Sequence, residues 1–330
     1  MSDETILELK GISKFFPGVR ALDQVHFDLR PGEIHGLMGE NGAGKSTFIK
    51  IITGVHTPDG GEMYIDGQLV QFKNPMEAQR AGIAAIYQHV TSYPDLTVAE
   101  NIFMGHEHVR PLTRRIDWRT MHEEAQALLE KLDANFTSHE RMGSLSVARQ
   151  QIVEIAKALS MNARIVIMDE PTAALTHHES DELYRITEGL RDSGVAVIFI
   201  SHRMEDIERL ADRVTVFRDG QHVGSWNASE IDQHALIVAM VGREISQMYP
   251  KRTIRIGEEV LRLEHLSRTG YFRDVSLDVR AGEIVALTGL VGAGRTEVCE
   301  SIYGVYTADS GTMYLNGEPI APQSPMDALK

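Results

Sequence analysis

Three observations predict an α/β fold. A glycine-rich loop lies between a short apolar run and a helix-like run, further apolar runs end on polar or charged residues, and part of the chain recurs near its end. The loop, Gly39-Glu40-Asn41-Gly42-Ala43-Gly44-Lys45-Ser46-Thr47, fits G-x-x-x-x-G-K-[ST]. Before it, Glu33-Ile34-His35-Gly36-Leu37-Met38 suits a buried strand. After it, Phe48-Ile49-Lys50-Ile51-Ile52-Thr53-Gly54 reads as a helix ended by glycine. Such glycines let backbone N–H groups close round a polyphosphate, and the helix N-terminus adds partial positive charge. Lys45 can reach the β- and γ-phosphates, the Ser46 hydroxyl can ligate Mg²⁺, and Thr47 can hydrogen-bond a phosphate oxygen.

The remaining elements follow in order. Residues 6–9 alternate as a strand does, 13–18 read as a turn carrying two aromatics, and 21–29 alternate again. Pro58-Asp59-Gly60-Gly61 turns into a strand over 62–65, followed by a hairpin turn at Asp66-Gly67. Residues 82–87 form an apolar strand ending on Gln88. From 89 to about 144 the chain is polar and helical, an insertion. Leu145-Ser146-Val147-Ala148-Arg149 then opens a helix, with Ser146 as N-cap and Ile152, Ile155, Ala156 and Leu159 on one face. Ile165-Val166-Ile167-Met168 runs into Asp169-Glu170-Pro171-Thr172. A helix passes through Leu183, Ile186 and Leu190, and a strand over 195–200 ends in Ser201-His202. Residues 214–224 make a hairpin, 229–240 a helix, and 244–257 a linker containing Pro250.

Past the linker, Gly32-Glu33-Ile34 recurs as Gly282-Glu283-Ile284 and Gly39 as Gly289, an offset of 289 − 39 = 250. Gly42-Ala43-Gly44 recurs as Gly292-Ala293-Gly294, and Asn74-Pro75-Met76 as Ser324-Pro325-Met326. A whole domain is duplicated, and the copy runs to Lys330, opposite Arg80.

Composition narrows the class. The chain has 330 residues, 42% hydrophobic and 24% charged, a globular balance. Lys plus Arg number 33 against 47 Asp plus Glu, a net charge of −14, which is not the footprint of a general nucleic-acid binder. Cys299 is the single cysteine, so no internal disulfide forms and a reducing compartment is expected. The amino end is no signal peptide, and the longest apolar run, Val195-Ala196-Val197-Ile198-Phe199-Ile200, is far too short to span a bilayer. A soluble protein is expected, with any membrane role through a partner.

Asp169-Glu170, closing an apolar strand downstream of a phosphate loop, suits Mg²⁺ orientation by the Asp and activation of water by the Glu. Gln88 and His202 each end a strand, where a neutral amide reaches metal or water and an imidazole reaches the γ-phosphate. With Phe16, these residues make the ordered set of the ATP-binding-cassette (ABC) ATPases, which the sequence resembles from residue 6 to about 243. It looks most like the two-cassette ATPases of bacterial monosaccharide importers, the ribose, galactose, arabinose and xylose group. The resemblance implies a P-loop NTPase fold, with a nucleotide-binding α/β core, an antiparallel β subdomain and a helical subdomain at about 89–160. It also implies a first cassette over 1–243, a linker at 244–257, and a partial second cassette over 258–330.

The implied cofactors are ATP and Mg²⁺. Phe16 would stack on adenine, with Phe15 as the alternative. Gly39, Glu40, Asn41, Gly42, Ala43, Gly44, Lys45, Ser46 and Thr47 would hold the phosphates. Ser46, Gln88 and Asp169 would hold the metal, and Glu170, His202 and Gln88 would act in hydrolysis. Ser146 would reach the γ-phosphate bound by another cassette. The implied partners are integral membrane permease subunits and, indirectly, a solute-binding protein, with no nucleic acid. The implied location is peripheral, on the cytoplasmic face of the inner membrane.

Two departures stand out. Val147-Ala148-Arg149 replace the last three residues of the family signature Leu-Ser-Gly-Gly-Gln, and Arg295 replaces the loop lysine in the copy. A truncated member, or part of a longer chain, is expected. The alternatives are a non-transport cassette switch acting on ribosomes or DNA, and a nucleotide-binding remnant with little turnover.

Overall fold

The computed structural model describes residues 5–87, 92–111, 113–242, 255–290 and 292–329. The chain divides into two compact units, Met1–Tyr249 and Pro250–Lys330. In the first, β1 (Leu7–Phe16), β2 (Val19–Leu29), β4 (Gly60–Ile65) and β5 (Gln68–Val70) form an antiparallel sheet in the order β2-β1-β4-β5. The aromatics at 15 and 16, expected in a turn, instead continue β1, with Phe16 opposite Val19. Cross-strand pairing with β2 absorbs them, and only Pro17 and Gly18 are left for the turn.

The second sheet holds the site. It contains β3 (Ile34–Met38), β6 (Ile83–Ile86), β7 (Ile165–Asp169), β8 (Ala196–Ile200), β9 (Arg213–Arg218) and β10 (Gln221–Asn227), in the order β10-β9-β3-β8-β7-β6. All pairs are parallel except the β9-β10 hairpin. Every residue of β3 and β8 is buried, as expected for strands covered on both faces. Between the sheets lies α1 (Lys45–Ile52), anchored by Phe48, whose ring meets Phe27 and Phe217 edge-on, each at 5.1 Å.

The stretch expected as a helical subdomain carries α3 (Val98–Phe103), α4 (Trp118–Lys131) and α5 (Val147–Ser160), joined in one apolar cluster with the β7 side of the sheet. Short α2 (Pro75–Arg80) precedes β6, and α6 (His177–Asp192) and α7 (Met204–Leu210) flank β8. Side-chain oxygens start most of these helices. Asn74 caps α2, Thr97 and Thr176 form capping boxes with Glu100 and Glu179, and Ser146 caps α5. His177 and His178 therefore open α6. The last helix among the described residues of this unit, α8 (Gln233–Val241), starts later than the 229 expected, because Asp232 accepts from the Ala235 N–H and sets the start.

In the second unit β11 (Glu259–Arg268), β12 (Phe272–Arg280), β13 (Ser310–Leu315) and β14 (Glu318–Ile320) form a sheet in the order β12-β11-β13-β14, with α9 (Arg295–Ile302) and α10 (Pro325–Ala328). Residues 283–290, the counterpart of β3 and the start of its loop, form no strand. The linker expected at 244–257 lies mostly outside the described residues.

Candidate active site

The glycine loop leaves the C-terminal end of β3 under tight steric control. A Cβ on Gly39 would stand 2.4 Å from the Phe217 carbonyl oxygen, and one on Gly44 would stand 2.6 Å from that of Ala21, so neither position admits a side chain. Gly44, with φ +99°, is the N-cap of α1 and offers no side chain to its first N–H groups; the first turn carries no acidic residue. This end of α1 is thus built for an anion. Lys45 is buried, and its ammonium donates to the Gly39 and Glu40 carbonyls at 2.6 and 3.1 Å. Burial holds its pKa below the usual lysine range, against the pull of Glu170 and Asp169. Ser46 is exposed and Thr47 half-buried.

Asp169 ends β7, and His202 follows β8, the strand between β3 and β7. In-register parallel pairing sets Asp169 opposite Ile200 and brings both strand ends to the same edge as the loop. Burial and the neighbouring Glu170 raise the Asp169 carboxyl above the ordinary range, while Lys45 opposes the shift. A cation beside Asp169 would favour its charged form. With the Ser46 hydroxyl the donors are all oxygen, which fits Mg²⁺. Glu170 adopts φ +49°, a conformation rare outside glycine, and its N–H donates to the Ile200 carbonyl at 3.0 Å. His202 Nδ1 lies 3.2 Å from Glu170 Oε1.

A cleft of about 550 Å³ is lined by Phe16, Val19, Ala21, residues 40–47, Asp169 and Glu170. A second hollow, of about 460 Å³, is bounded by Gly39, Glu40, Asn41, Glu170, His202 and Met240. Of the two aromatics, Phe16 faces the cleft; the Arg20 guanidinium sits 5.4 Å from the centre of the Phe15 ring. Ser146, exposed at the start of α5, lines neither space, and Gln88 lies outside the described residues. Val19, Ala21 and Met240 were not anticipated. The alternation of β2 hinted at the first two, but nothing local marked Met240.

A phosphate-binding loop, a strand-end Asp-Glu pair and a strand-end histidine, set along one edge of a mainly parallel sheet, define a P-loop cassette. The sequence profile of the ABC transporter family matches residues 22–173 and 272–329, and the chain belongs to that family. Among curated relatives, "Ribose import ATP-binding protein RbsA 3" of Rhizobium etli is 47% identical over 325 residues, 98% of this chain and 63% of its own length. "Ribose import ATP-binding protein RbsA 2" of Streptomyces coelicolor is 49% identical over 319 residues, 97% of this chain and 61% of its own length. The chain thus spans under two thirds of these relatives. Among solved structures, the ADP conformation of MJ1267, an ATP-binding cassette of an ABC transporter, superposes with a TM-score of 0.64 at 27% identity, covering 72% of this chain and 99% of that one.

Proposed function

We propose that this chain binds ATP with Mg²⁺ and hydrolyses it as the ATPase part of a bacterial ABC importer for ribose or a similar monosaccharide. The observation that carries the reading is the convergence of the loop, Asp169, Glu170 and Phe16 on one cleft. The names of the relatives support the sugar. Residues 1–243 would be the first cassette, 244–257 a linker, and 258–330 the start of a second.

Lys45 and the uncapped start of α1 would hold the phosphates, and Phe16, with Val19 and Ala21, would form the apolar wall for adenine. Ser46, Asp169 and Gln88 would hold Mg²⁺, whose charge offsets that of the phosphates. Glu170 would accept the proton of the attacking water, and His202, beside it, would hydrogen-bond the γ-phosphate. Ser146 would serve ATP bound by a facing cassette. Permease subunits and, through them, a solute-binding protein would be the partners, and the chain would sit peripherally on the cytoplasmic face of the inner membrane. In support, no helix among the described residues is long and apolar enough to cross a membrane. The net charge of −14 does not favour nucleic acid.

Lys45→Ala tests the binding step. Calorimetry should show ATP affinity falling about tenfold or more, a loss of about 1.4 kcal/mol. Equal affinity in variant and parent would remove Lys45 from the site.

A further inference from the structure

Beneath the cleft, one buried carboxylate joins the two strand ends that carry its acid-base groups. Past the pairing of Asp169 with Ile200, one chain turns through Pro171 and Thr172 towards α6 and the other enters α7. Asp206, in the first turn of α7, is 0% exposed. The Thr172 and Ser201 hydroxyls donate to its Oδ2 at 2.7 and 2.5 Å, and the Tyr184 hydroxyl donates to Oδ1 at 2.5 Å. The Ser201 hydroxyl also accepts the Arg203 N–H at 2.9 Å, and Arg203 Nε lies 4.0 Å from Oδ1. Burial and the hydrogen bond to Asp206 together raise the Tyr184 phenol above its ordinary range, so it stays a donor.

The placement of these donors matters. Thr172 lies two residues after Glu170, and Ser201 immediately precedes His202. A buried carboxylate is tolerated only while its lone pairs are filled. Moving either strand end would leave an acceptor unfilled where no water reaches it, so the cluster resists their separation. The contact above it, His202 to Glu170, is at the water edge, with the His202 side chain 57% exposed. The buried cluster is therefore the firmer of the two links.

We propose that Asp206 is a positioning residue for ATP hydrolysis: by pinning Thr172 and Ser201 to one buried carboxylate, it fixes Glu170 against His202. The inference rests on the ATPase reading above. Asn at 206 keeps the size, accepts from one hydroxyl and can donate to the others, so it preserves the link; Ala removes it. The double variant Thr172→Val, Ser201→Ala cuts both tethers while leaving Asp206 in place.

The test compares these full-length variants with the parent in ATP turnover and in the imidazole nitrogen signals of His202, assigned with His202→Gln. Asp206→Ala and the double variant should lose about tenfold or more in kcat with KM nearly unchanged, and the His202 signals should shift. Asp206→Asn should recover most of that loss. Leu190→Ala, which weakens the core of α6 without touching the cluster, should leave kcat and the His202 signals in place. A folded double variant with the parent's kcat and His202 signals overturns the proposal, as does an equal change in Leu190→Ala. A parent that binds ATP without turning it over counts against the ATPase reading instead, and the His202 signals still decide the role of Asp206.

Discussion

Gly39, Gly42 and Gly44 take φ values of +156°, +87° and +99°; Gly289, Gly292 and Gly294 take +155°, +82° and +81°. Each loop opens an eight-residue helix from a left-handed glycine cap. The surroundings differ. The five residues before the first loop are a buried strand, whereas in the copy Ile284 is 96% exposed. Buried Lys45 has its counterpart in half-buried Arg295, which donates to the Leu290 carbonyl at a long 3.4 Å. A glycine loop followed by a helix start takes its shape from local conformational preference. A strand does not, because its backbone groups need neighbours on both sides. β8 and β9 supply these for β3, and no described residue of the second unit plays their part.

The sharpest way to break this contrast is to remove what, among the described residues, the first loop alone has opposite it. Glu170→Gln keeps size and hydrogen bonding but not the base. Hydrolysis should fall about 10²-fold while ATP still binds. Full turnover in the variant would mean that the loop does not work with Glu170.

His35 offers a second contrast, since the copy carries Val285 at the matching place. His35 is fully buried, with Nε2 2.8 Å from Thr215 Oγ1 and Nδ1 3.5 Å from Glu33 Oε1. Burial, aided by Arg213, pushes its pKa down to about 3. The unfolded chain therefore takes up the proton first, and stability falls as pH drops from 6.5 towards 3, by about 1.4 kcal/mol per unit. Asp28, held below the usual range by Arg213, adds to the loss at lower pH; Glu33, raised by burial, opposes it. Urea melts at pH 7 and pH 5 should differ by about 2 kcal/mol from this residue. His35→Val should flatten that difference, and an unchanged slope would remove His35 from the account.

The smallest effects come from exchanging the loop cations. Lys45→Arg should weaken ATP binding about tenfold, because a planar guanidinium replaces a compact, buried ammonium. Arg295→Lys should change ATP affinity of this chain by less than about twofold, because no described residue of the second unit supplies the set strand and the Asp-Glu pair that surround Lys45. Titration calorimetry on both variants checks the pair. Tight binding gained through Arg295→Lys would show that the cation, not its surroundings, separates the two loops.

Much of this was legible in the chain. The loop at 39–47, the helix start at Ser146 and the apolar strands all announce themselves in contiguous residues. Their cause is short-range: glycine backbone freedom, caps and burial period. Of the boundaries that shifted, one was decided by strand pairing, β1 running through Phe15 and Phe16, and one by a cap, Asp232 at the start of α8.

By itself the sequence determined the phosphate loop, the duplication and the candidate groups Lys45, Asp169, Glu170 and His202. Only the tertiary structure decided that these groups meet. The sheet order β3-β8-β7 reverses the chain order of its last two strands, so the neighbours of β3 are chosen by packing between covered faces rather than by sequence distance. The same packing set Phe16 rather than Phe15 in the cleft, brought Thr172 and Ser201 to Asp206, and left residues 284–288 without a sheet. Each turns on whether segments far apart in the chain come into contact, and no local pattern of residues encodes the partner.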